Sequence, residues 1–279
     1  MAFPRIAAFA RLAKGGEEPE RIIAGQKTLL NRSMHDIEYD DVNDEILISN
    51  PYAQAILTYR GGADGEEAPI RVLQGPSTQM AHPDYSVHLD KVNNELYVTE
   101  KEYILVFPRT ANGDVAPIRV IRGPDTRLIN TRGMVIDPIR NLLIASTRDG
   151  LMIFPRTANG NVKPIRTIEG PKTGMNGPFH NLRIIPEKGL LIGILRNVRR
   201  PGEQQQAEGE NVRRRGRGRP GGGIAVWSVT DEGNVPPIWV LSDPGANIGG
   251  MRLALNPNHK EVIVGGGINV KTYSFPEIF

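Results

Sequence analysis

The chain has 279 residues, 39% of them apolar and 23% charged, with 31 glycines, 22 prolines and no cysteine. That composition belongs to a globular chain rather than a disordered one, and it excludes disulfides, thiolate metal sites and a cysteine nucleophile. The net charge of +3 is uneven: residues 196–219 carry eight arginines and three glutamates, which leaves the rest of the chain at −2 and argues against a nucleic-acid-binding surface spread over the whole body.

The chain opens "MAFPRIAAFARLAKGG", where Arg5 and Arg11 interrupt the apolar run, so a signal peptide is not indicated. No stretch approaches the roughly 18–20 apolar residues of a membrane helix. The expectation is a cytoplasmic protein without a membrane span, unless a leader has been removed. An element P-x-R-x-I/L-x-G then recurs as PERIIAG from Pro19, PIRVLQG from Pro69, PIRVIRG from Pro117 and PIRTIEG from Pro164, with a degenerate PIWVLSD from Pro237. The longest shared text is "FPRTANGDVAPIRVIRGPDT" at 107–126 and "FPRTANGNVKPIRTIEGPKT" at 154–173, identical at fifteen of twenty positions. Such a period calls for a repeat architecture.

Four strand-like pieces, a to d, fill each period. Piece a alternates apolar and polar residues (HDIEYD at 35–40, YSVHLD at 85–90, GMVID at 133–137, NLRII at 181–185, MRLALN at 251–256). A short polar turn leads to piece b (ILIS, LYVT, LLIAS, LLIGIL, VIVGG). Piece c follows (AILTY, YILVF, LMIF, IAVWSV, NVKTYSF), and then a turn marked ANG or DEG enters the proline-led piece d. Alternation with period two, β-branched residues and Asn-Gly turns predict strands and hairpins. Four-stranded antiparallel units repeated every 40–50 residues predict an all-β fold, a β-propeller, because one small sheet has two apolar faces and needs a similar sheet against each. Residues 6–19 align with 104–117, so the chain begins with c and d and ends after an a-b-c set. Five inner hairpins, six c pieces and five d pieces indicate five blades, with six as the alternative, in a ring closed by the N- and C-terminal strands sharing one blade. The expected organisation is one domain over 1–279, with 197–221 as an arginine- and glycine-rich insertion loop inside one blade.

The a-turn-b-c text "GMVIDPIRNLLIASTRDGLMIFPRTANG" and the d element resemble the NHL-repeat type of propeller and its bacterial relatives, including the streptogramin-lyase-like and other six-bladed groups. The resemblance covers nearly all of the chain except 197–221. NHL repeats usually end b with an aspartate, where this chain has Asn50, Glu100 and Thr147. The resemblance implies a propeller. It implies no single activity, because such relatives include lyases, lactonase-like hydrolases, RNA-binding platforms and protein scaffolds.

In such a ring the starts of the a strands line one mouth of a central channel. Two sets of residues fall there: His35, Tyr85, Arg132, His180 and Met251, and Asp36, Ser86, Gly133, Asn181 and Arg252. Of these, His35, Asp36, Tyr85, Ser86, Arg132, His180, Asn181 and Arg252 form the candidate binding site. His35 and His180 are the candidate catalytic pair, able to hold a divalent metal or exchange protons, although no cofactor is predicted. The alternative role for these side chains is to bond loop backbones. His88 and Glu38 lie on the opposite side of strand a; His82 and His259 fall in loops. Arg21, Arg71, Arg119 and Arg166, one per d piece, read as structural partners of a nearby acid or carbonyl, as do Arg109 and Arg156. The insertion, with Arg199, Arg200, Arg213, Arg214, Arg215, Arg217 and Arg219, reads as a docking arm for a protein partner. Its RGRGR end would also suit RNA or another polyanion, yet it lacks stacking aromatics. Three functions follow: a non-enzymatic scaffold for protein assembly, a lyase or lactonase-like hydrolase at the channel mouth, or a polyanion binder.

Overall fold

In the computed structural model, residues 4–32, 34–81, 86–195, 222–242, 252–266 and 269–279 are described. The arginines of the insertion, together with Tyr85, His82 and Met251, lie outside them. The fold is all-β. Four sheets are complete and antiparallel, each in the order a-b-c-d: β3 (Ile37–Asp40), β4 (Glu45–Asn50), β5 (Ala55–Arg60) and β6 (Arg71–Gln74); β7 (Val87–Asp90), β8 (Glu95–Thr99), β9 (Tyr103–Pro108) and β10 (Arg119–Arg122); β11 (Met134–Asp137), β12 (Leu142–Ser146), β13 (Leu151–Pro155) and β14 (Arg166–Ile168); β15 (Leu182–Ile185), β16 (Leu190–Leu195), β17 (Gly223–Ser228) and β18 (Trp239–Ser242). A two-stranded sheet, β1 (Arg5–Ala8) with β2 (Arg21–Ala24), supplies c and d. A three-stranded sheet, β19 (Arg252–Asn256), β20 (Glu261–Gly266) and β21 (Asn269–Ser274), supplies a, b and c. These are the blades of a β-propeller, with the five inner hairpins that the repeat count requires. Among the described residues no helix is long and apolar enough to cross a membrane.

The chain packs as two compact units, 1–126 with 158–162, and 127–157 with 163–279. Within each, one sheet covers the face of the next. In the first unit Leu47, Ile56 and Leu73 of one sheet meet Val87, Leu89 and Leu105 of its successor. In the second, Val135, Ile144 and Ile153 pack toward Leu182, Leu191 and Trp227, and the other face of that sheet meets Leu253 and Val264. Burying each such side chain stabilises the fold by about 1.5–3 kcal/mol before entropy is counted.

The inner a–b turn repeats one device. The Asp40 carboxylate accepts from the Val42 and Asn43 amides at 3.1 and 3.2 Å. Asp90 does the same for Val92 and Asn93, and Asp137 for Ile139 and Arg140. All three aspartates are buried, so these bonds satisfy groups that water does not reach.

The repeated text after strand c has a separate purpose. Among the described residues, the glycine of four c–d turns clamps the d strand of the preceding repeat through its own backbone. Gly113 donates to the Val72 carbonyl at 2.8 Å and accepts from the Gln74 amide at 3.1 Å. The same parallel bridge joins Ile23 to Gly65, Ile121 to Gly160 and Ile168 to Gly233. Flanking residues reinforce it: Asn112 accepts from the Val72 amide at 2.9 Å, and Asp114 from the Ser77 amide at 2.7 Å. In the G-P-x-T turn after strand d, the buried Thr78 hydroxyl bonds the Gly75 carbonyl at 2.6 Å. Gly75 has φ +138° and sits against the Asp114 side chain, where an added Cβ would lie 2.4 Å from the carboxyl carbon. Gly113 has φ +75° but open space around it.

Gly75→Ala should therefore lower stability more than Gly113→Ala: about 3 kcal/mol against about 1 kcal/mol, the first combining strain with a displaced clamp and the second only the left-handed penalty. Urea unfolding of the two variants measures the difference.

Candidate functional site

The residues expected at the strand-a starts divide between the two units, and each half is described by itself. In the first unit Asp36 is buried. Its carboxylate accepts from the Ile37 amide at 3.1 Å through one oxygen and from the Val87 amide, on the next sheet, at 3.2 Å through the other. Its own amide donates to Ser49 Oγ at 3.0 Å. Half-buried His35 uses its backbone amide on the Ser49 carbonyl at 3.4 Å. Ser86 is buried, and its carbonyl accepts from the Thr99 amide at 3.1 Å and the Thr99 hydroxyl at 3.3 Å.

The second unit repeats the arrangement with other residues. Buried Asn181 accepts the Leu253 amide at 3.4 Å, the counterpart of the Asp36–Val87 bond. Gly133 has no side chain to do this. Its amide donates to the Phe179 carbonyl at 2.8 Å, and a Cβ there would come within 2.9 Å of the Leu182 amide nitrogen. The Arg132 guanidinium lies 3.2 and 3.3 Å from the two ring nitrogens of His180. A fixed positive charge that close opposes a second cation at the same imidazole. Arg252 is half-buried at the head of β19. The structure thus brings Arg132 together with His180, and ties Asp36 and Asn181 to the neighbouring strand, while His35 and His180 belong to different units.

The two residues expected on the opposite side of strand a also meet. Glu38 and His88, on β3 and β7, approach to 3.8 Å between Oε1 and Nδ1, with both side chains largely buried. The available signal was their common second position on consecutive a strands. Among the described residues no group of three or more His, Asp or Glu is placed to hold a metal.

The d-strand arginines are structural. Arg71 grips Glu45 with two bonds of 2.9 and 2.5 Å, and Arg119 grips Glu95 at 2.8 and 2.7 Å. Arg166 donates to the Val229 carbonyl at 2.9 Å and Arg21 to the Gly61 carbonyl at 2.5 Å. Arg109 joins Glu45 from the following repeat at 2.8 Å, and Arg156 bonds the Asn141 side chain at 2.8 Å. At the edge, hydrogen bonding to Arg127 holds the Glu169 carboxyl below the usual glutamate range, and Arg148 does the same for Asp149.

No protein-family model matches the chain, and no curated protein matches its sequence. Solved structures do. The chain is similar to Kuenenia stuttgartiensis hydrazine synthase with a TM-score of 0.53 and 12% identity, over 83% of this chain and 55% of that one. It is similar to a chain of the mitotic checkpoint complex with a TM-score of 0.56 and 11% identity, over 93% of this chain and 67% of that one. This chain therefore spans little more than half the hydrazine synthase chain. At such identities the likeness is one of fold, and the fold is the β-propeller.

Asp36→Ala strands the buried Val87 amide and should cost about 1–3 kcal/mol. Asp36→Asn keeps an acceptor, as Asn181 does, and should retain most of the stability. Thermal unfolding of the two variants compares them directly.

Proposed function

We propose that the chain is a non-enzymatic platform for protein assembly, an NHL-repeat-like propeller with the arginine-rich segment 197–221 as its docking arm. The supporting observation is how the polar groups are used. At the strand-a starts Asp36 and Asn181 serve neighbouring backbone amides, and Arg132 faces His180, which leaves them engaged in holding sheets together. The concentrated charge of the chain lies instead in the insertion, at +5 over 196–219. A neighbour of the same fold is part of a complex, the mitotic checkpoint complex, which accords with a platform role. Arginine forks match carboxylates well, so the partner surface would be acidic and the contact sensitive to salt.

Isolation of the full chain from its native source should recover a protein at a fixed stoichiometry, lost on raising salt and lost from a variant without residues 197–221. Recovery of nucleic acid instead, with retention on heparin that vanishes in the same variant, would replace the protein partner by a polyanion.

The Glu38–His88 pair favours a second reading, a lyase or lactonase-like hydrolase, with His35 and His180 as further candidate groups and a divalent metal as candidate cofactor. Elemental analysis of the purified protein decides here: about one tightly held divalent ion per chain supports the enzyme, and its absence together with intact partner binding supports the platform.

A further inference from the structure

The dipeptide Asn-Gly occurs three times in the chain, at 112–113, 159–160 and 176–177. In this pair the glycine amide nitrogen can attack the asparagine side-chain carbonyl carbon, and the missing Cβ leaves the approach open. All three asparagines are exposed. They differ in what holds the attacking nitrogen.

In the first two pairs that nitrogen is occupied. The Gly113 amide donates to the Val72 carbonyl at 2.8 Å, and the Gly160 amide to the Val120 carbonyl at 2.7 Å. The asparagine side chains are held as well: Asn112 Oδ1 accepts from the Val72 amide at 2.9 Å, and Asn159 Oδ1 from the Val120 amide at 3.0 Å. Both atoms that would have to join are thus fixed on a d strand, and attack requires the clamp to open first.

The third pair lies in the loop between β14 and β15, which is fastened on either side of it. Upstream, the Thr173 hydroxyl donates to the Gly170 carbonyl at 2.6 Å and accepts from the Met175 amide at 3.2 Å. Downstream, the Phe179 amide donates to Ser146 Oγ at 2.8 Å, and the Phe179 carbonyl accepts from the Gly133 amide at 2.8 Å. Asn176, Gly177 and Pro178 span the interval. Among the described residues neither the Asn176 side chain nor the Gly177 amide makes a hydrogen bond, and a proline has no amide hydrogen. Gly177 has φ +103°, and an added Cβ there would meet nothing within 4 Å.

We propose that Asn176 is a site of spontaneous deamidation in the folded protein, and that the glycine clamps shield Asn112 and Asn159 from the same reaction. The Gly177 nitrogen bonds to Asn176 Cγ as the Cγ–Nδ2 bond breaks. The proton lost by that nitrogen leaves with the departing ammonia, and a cyclic imide remains. Water then opens the ring. Cleavage at Cγ gives aspartate; cleavage at the main-chain carbonyl carbon gives isoaspartate. Either product places a new carboxylate in the loop that leads to His180 and lowers the net charge of +3 by one. The isoaspartate also lengthens the main chain by one carbon, which the unfastened stretch absorbs.

The test follows the full chain in mildly alkaline buffer, folded in one sample and unfolded by guanidinium chloride in the other. The tryptic peptides TANGDVAPIR, TANGNVKPIR and TGMNGPFHNLR report the three sites by fragment mass spectrometry. All three should convert at similar rates in the unfolded chain. In the folded chain Asn176 should stay within about twofold of that rate, while Asn112 and Asn159 slow at least about tenfold. An Asn176→Asp variant should unfold at the parental temperature, because the stretch it alters fastens nothing. The proposal is overturned if folding slows Asn176 as much as the other two, if Asn112 or Asn159 keeps its unfolded rate, or if Asn176→Asp lowers the unfolding temperature.

Discussion

A small antiparallel sheet has two apolar faces and cannot hide either by itself; everything else in this structure answers that constraint. Four strands bury too little to be stable alone, so each sheet leans on its successor. In the first unit Leu47 and Leu73 are covered only because Val87 and Leu105 arrive from the next sheet. The polar devices serve the same end. Asp36 and Asn181 fasten one inner strand to the next, and Arg109 reaches from one repeat to the glutamate of the one before.

The electrostatics follow the same economy. Glu45 is shared between Arg71 and Arg109, all three largely buried. Removing the glutamate would leave two cations in a place of low polarity, which is why such a group is worth far more intact than half-dismantled. The exposed pairs, such as Arg60 with Glu67, contribute little by comparison.

The strands were legible because their signal is local. LLIGIL at 190–195 coincides with β16, and the five a–b hairpins, six c strands and five d strands match the repeat count. The arginine partners were legible as a class, an acid or a carbonyl, because a long cation beside an apolar strand must end on one of them. The candidate site was less so. That Asp36 would accept the Val87 amide depends on two strands 51 residues apart lying side by side, and no local pattern announces it.

The glycine clamp between successive repeats is made of main-chain atoms, and it is indifferent to how much chain separates its two halves. Ile168 and Gly233 meet as Ile121 and Gly160 do, although the first pair spans 65 residues and the second 39. The extra length is the arginine-rich text. A joint of this kind frees the stretch between its halves for grafting: foreign sequence can be spliced, lengthened or rewritten in the link from β16 to β17 while the joint itself keeps its registration.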